Sequence, residues 1–130
     1  MLPELTPLLA AAAVGVLGAM TPIAAQPGPP APTTNVLANM TIKPDIPRAD
    51  VMKAMPEEVR ATIRLYLEGK IVQWYSRADG TGVVFIVNAS SVEEARKALA
   101  DLPFEKTGMV TLDYIALAPL MPLRAILPPQ

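Results

Sequence analysis

Without histidine or cysteine, this chain must draw any acid–base or nucleophilic chemistry from carboxylates, lysine, arginine and tyrosine. Their absence removes the commonest general base and metal ligand, every Ser-His-Asp triad, and every thiolate or disulfide. Four residues stand out as candidates: Asp113, Lys43, Tyr75 and Arg77. Asp113 has Leu112 and Ile115 beside it, and apolar neighbours that strip water from a carboxylate strengthen it as a base. Lys43 and Tyr75 could each donate a hydrogen bond to a developing oxyanion. Arg77 or Lys43 close to Asp113 would instead turn it into a structural ion pair. No metal and no cofactor is expected.

These residues can act together only if a sheet places them on one surface. Residues 70–88, KIVQWYSRADGTGVVFIVN, read as two strands joined by a two-residue turn at Asp79-Gly80. The second arm, residues 83–87, is apolar on both faces and belongs mid-sheet. Residues 35–43 alternate, as a half-buried strand does, and residues 109–118 supply the last strand. Between them, Met52, Met55, Val59, Ile63 and Tyr66 recur at helical spacing and are expected to fill the core. Pro56 suits a helix's first turn, with Glu57 and Glu58 following where the dipole favours acids. The expectation is therefore a short helix over residues 48–54, a main helix over 56–68, and Gly69 as its cap. Ser91 and Glu94 form a capping box; Val92, Ala95, Leu99 and Leu102 make the buried stripe, and Pro103 stops that helix.

The order β-α-β-β-α-β predicts an α+β, ferredoxin-like domain: a four-stranded antiparallel sheet with two helices on one face. The helix side takes Val36, Ala38, Met40, Ile42, Val72, Trp74, Val110, Leu112 and Tyr114. The other side receives Asn39, Thr41, Lys43, Gln73, Tyr75, Arg77, Thr111 and Asp113. That polar front is either a wet or self-associating surface or one wall of a ligand cleft.

The flanks differ in kind. Residues 8–20 are apolar but shorter than the roughly 20 residues of a membrane span. Small residues follow, so residues 1–25 are expected to be a signal peptide, although Glu4 stands where a basic leader is usual. Residues 26–34 are a Pro-rich spacer, 35–119 the domain, and 120–130 an apolar tail suited to an oligomer contact. Secretion, or export to a periplasm, follows. Setting Glu4 aside leaves 11 acids against 11 bases, so neither nucleic acid nor an anionic membrane is an expected partner.

Asn39-Met40-Thr41-Ile42-Lys43, Glu68-Gly69, and Ser91-Val92-Glu93 through Leu102-Pro103 to Asp113 resemble the muconolactone δ-isomerase family. The resemblance covers residues 36–119. It implies a dimeric α+β barrel of ferredoxin-like subunits in a homo-oligomer, no cofactor, and a double-bond shift by proton transfer in a small unsaturated lactone. Asp113 or another carboxylate would be the base, with Lys43 and Tyr75 as donors. This chain has no histidine, whereas that family's members commonly carry histidines near the site. Two other readings remain open: an exported non-catalytic module that binds a small ligand or itself, and a cofactor-free monooxygenase-like barrel.

Overall fold

A computed structural model describes residues 31–120, with the single positions 3, 18 and 126 outside that span. Residues 26–30 of the spacer, and all of the expected signal peptide and tail but Pro3, Gly18, Leu120 and Ile126, lie outside the described residues. The elements are β1 (Asn35–Ile42), α1 (Arg48–Leu67), β2 (Ile71–Ser76), β3 (Gly82–Val87), α2 (Val92–Leu99), α3 (Pro103–Lys106) and β4 (Val110–Leu117). The strands form one antiparallel sheet in the order β2-β3-β1-β4, the ferredoxin-like arrangement that the sequence predicts. Among the described residues, no helix is long and apolar enough to cross a membrane.

The core lies between the helices and one sheet face. Val36, Ala38 and Met40 from β1, Phe85 and Val87 from β3, and Val110 from β4 meet Ala95, Leu99 and Phe104 there. Period-2 alternation produces this face on β1, whose even positions are buried. In β2 the alternation breaks. A bulge between Ile71 and Gln73 lets Ile71 face the helices at 1% exposure, while Val72, expected there, is 46% exposed.

α1 departs most from expectation. It runs unbroken through Pro56, giving up one backbone hydrogen bond rather than splitting in two. Its buried residues are Val51, Glu58 and Thr62, with Met55 and Leu65 partly covered. Met52, Val59, Ile63 and Tyr66, the expected core stripe, are exposed. The helix is turned by about 100°, one residue's step, from the face its apolar residues favour. At its end Gly69 has φ +76°, its N–H bonds Tyr66 O, and Lys70 N–H bonds Leu65 O, the paired closure that glycine permits.

The β2–β3 loop is also longer than a two-residue turn. Arg77 N–H bonds Gly82 O, leaving four residues to turn the chain, and only Gly80 has positive φ. Asp79 keeps ordinary φ and accepts from the Thr81 N–H and hydroxyl at 2.9 and 2.7 Å. On α2, Ser91 Oγ accepts from Glu94 N–H as predicted, but the Glu94 carboxylate reaches Ser90 rather than Ser91. Pro103 opens α3, a short helix that the sequence pattern does not announce.

Gly82 is where β3 lies closest to β1: a Cβ there would sit 1.9 Å from the Met40 carbonyl oxygen. Gly82→Ala is expected to cost about 2–4 kcal/mol, because the two strands must part. Gly80→Ala, strained only through its φ, is expected to cost about 1 kcal/mol. Urea denaturation of the two variants checks the order.

Candidate functional site

The register fixes where each candidate stands on the open face of the sheet. Asp113 lies opposite Asn39, Asn39 opposite Val84, and Val84 opposite Tyr75. Asp113 and Tyr75 therefore occupy the two edge strands, three inter-strand spacings or about 14 Å apart. Asp113 is exposed. Tyr75 is exposed too, and its hydroxyl donates to Gln73 Oε1 at 3.1 Å. The next row is apolar, Ile115–Leu37–Ile86, so this face is not uniformly polar.

Arg77 is committed to the loop. Its guanidinium donates to Thr41 Oγ1 and to Asp79 Oδ2, each at 2.7 Å. Hydrogen bonds from Thr81, and then Arg77, hold the Asp79 carboxyl down at about 2. Lys43 follows β1, its N–H bonded to Met109 O, and with Arg48 it lines a cavity of about 350 Å³. Within one subunit, Asp113, Lys43, Tyr75 and Arg77 do not share a pocket.

A different carboxylate does meet the requirement for a desolvated base. Glu58 is only 3% exposed on the buried side of α1. Its Oε2 accepts the Phe104 N–H at 2.9 Å, while Oε1 is buried without a partner. Burial pushes its pKa above the ordinary 4.5; the Phe104 N–H opposes this, and the charge of Glu105 adds to it. Thr62, one turn on, satisfies its own hydroxyl by donating to Glu58 O at 2.9 Å.

Glu58 lines a cavity of about 340 Å³ between α1 and the sheet. Met40, Met55, Val59, Ile63, Trp74 and Phe104 make its walls apolar, Ser76 brings a hydroxyl to it, and Arg77 stands at its edge with its guanidinium held by Thr41 and Asp79. Of the four predicted residues only Arg77 lines this cavity. Two of its five N–H donors are used by Thr41 and Asp79. No protein-family model matches the chain, and no functionally characterised protein matches it either. The site must therefore be judged on its chemistry. A desolvated carboxylate beside an apolar cavity of small-ligand size is an arrangement that strengthens a base. Among the described residues, no three acidic side chains gather as a metal site would need.

Reading Pro56 as a helix start placed Glu58 in an exposed first turn and hid it. The available signal was its position in the stripe Val51, Met55, Glu58, Thr62, Leu65, which is as regular as the more apolar one. A carboxyl whose folded pKa is raised favours the native state only while protonated. Its ionisation costs stability as pH rises from the unfolded value through the folded one. Glu58→Gln keeps an oxygen for the Phe104 N–H and removes the charge. It is expected to raise Tm at pH 7 and to leave it nearly unchanged at pH 4, as checked by calorimetry.

Proposed function

We propose that this protein is a cofactor-free, isomerase-like catalyst that moves a proton on a small, largely apolar, enolisable compound. One observation carries the reading: Glu58 is buried in an apolar cavity with one carboxylate oxygen unpartnered. The resemblance to muconolactone δ-isomerases supports the same class of reaction and points to an unsaturated lactone as substrate.

In the first step the Glu58 carboxylate takes a proton from the carbon α to the carbonyl. The C–H electron pair becomes the enolate, and the carboxyl is now neutral. In the second step the Glu58 carboxyl, whose proton exchanges with water between the steps, delivers a proton to the γ carbon and the double bond moves between the α and β carbons. No proton is gained or lost overall. The raised pKa of Glu58 suits both halves, because burial strengthens the carboxylate as a base while leaving the carboxyl able to give the proton back. Ser76, on the helix side of β2 and lining the cavity, would donate to the enolate oxygen. A cavity of this volume suits a ligand of about ten heavy atoms, at the lower end of small-molecule sites.

Binding without chemistry is the second reading. Its support is the open face, where Asn39 Oδ1 is buried without a partner beside the Ile115–Leu37–Ile86 row. Self-association of two such faces would supply a donor and cover the row.

Exchange in D₂O separates them. With an unsaturated γ-lactone, the wild-type protein is expected to incorporate deuterium at the α and γ carbons, at a rate that rises with pH as Glu58 ionises. Glu58→Gln is expected to lose roughly 10²–10⁴-fold of that rate, the usual contribution of a general base. Asp113→Asn is expected to leave it unchanged. A lactone that binds but never exchanges establishes the second reading.

A further inference from the structure

The rotation of α1 leaves an apolar stripe uncovered. Met52, Val59, Ile63, Tyr66 and Leu67 follow one side of the helix, with Leu67 78% exposed. Tyr66 meets Trp74 of β2 edge-to-face at a centroid distance of 4.6 Å, so the stripe runs onto the adjacent edge strand. With Val72, these side chains present on the order of 700 Å² per copy, against the roughly 800 Å² per partner of a standard protein interface. A monomer seldom leaves that much contiguous apolar surface in water.

The strand beside the stripe has a free edge of backbone. The Arg77 N–H donates inward to Gly82 O. The antiparallel alternation from that pair therefore turns the Trp74 and Ser76 N–H groups outward, away from β3. Edge strands are ordinarily guarded by charge or proline. The sequence of β2, IVQWYS, contains neither, and its bulge lies at the Ile71–Gln73 end, leaving residues 73–76 as regular edge. The opposite edge, β4, carries Asp113, which would meet a like charge in a pairing of two copies.

We infer that β2 pairs antiparallel with β2 of a second copy across a two-fold axis, forming one continuous eight-stranded sheet with the α1 stripes packed together beside it. Self-pairing fits this edge because an uncharged strand meets no repulsion from its own copy, and a two-fold presents the same apolar stripe from both sides. The dimer also bears on the cavity, since Val59, Ile63 and Trp74 belong to both its lining and the stripe. The interface does not depend on what happens inside the cavity, and it is distinct from the open face of the sheet.

Sedimentation equilibrium of the full chain tests it, with amide hydrogen exchange alongside. The wild-type protein is expected to be a dimer with the Trp74 and Ser76 amides protected. Val72→Lys and Leu67→Arg lie on exposed positions and leave the core intact. Each is expected to weaken the dimer by roughly ten-fold or more, because a cation would have to lose its water against apolar neighbours. The two amides should then exchange freely. A monomeric wild-type chain overturns the inference. So does a dimer that survives both substitutions but is lost with Ile115→Lys on the open face.

Discussion

The hydrogen bond from the Phe104 N–H to Glu58 Oε2 ties together parts of the chain 46 residues apart, and much else depends on it. Phe104 is the second residue of α3, and Leu102, which precedes that helix, offers no side-chain cap. Glu58 supplies the missing acceptor, so one carboxylate oxygen closes the start of α3 while the other is left facing the interior. One hydrogen bond offsets only part of the cost of burying an ionised carboxylate. The protonation state of Glu58 thus bears on the stability of the fold and on the charge that the cavity presents.

That bond is made only because α1 is rotated. A helix with two stripes must choose one, and hydrophobicity alone favours Met52, Val59, Ile63 and Tyr66. Turning toward the sheet the face with Val51, Met55, Thr62 and Leu65 brings Glu58 to the Phe104 amide. The sequence pattern reveals the helix and its end at Gly69, because periodicity and closure are local. It does not reveal which face is buried, because the partner that selects it arrives 46 residues later. The bulge at β2 is hidden for a similar reason: one extra residue in a six-residue strand shifts the alternation without altering its composition. The β3 strand, apolar throughout, is legible as central, since only a strand with neighbours on both edges suits it.

The four sequence candidates are not brought together within one subunit, and a desolvated carboxylate stands elsewhere, at Glu58. Desolvation is the property to look for in a base, yet apolar neighbours in sequence do not supply it on a strand. Leu112 and Tyr114 point to the helix side, so the Asp113 carboxylate shares nothing with them but backbone. Ile115 shares its face but lies two residues along, about 7 Å away. On a helix packed against a sheet, by contrast, residues three and four apart are true neighbours. Glu58 is desolvated by Met55, Thr62 and the sheet together. Arg77 reached the cavity because the hairpin loop folds back over the end of β1, a contact made through Thr41.

The exposed stripe and the buried carboxylate are two consequences of one rotation, and they are coupled. The mouth of the Glu58 cavity is lined by Val59, Ile63 and Trp74, side chains that remain partly in water in a single copy. Covering them with a second copy would remove water from the cavity and raise the cost of ionising Glu58 further. Linkage makes this reciprocal: if association raises the proton affinity of Glu58, protonation of Glu58 must strengthen association by the same free energy. A ligand that neutralises the carboxyl by leaving its proton there would act in the same direction. In such a dimer, the turn of α1 that leaves an apolar stripe in solvent would give the cavity a wall whose closure responds to the charge at its base.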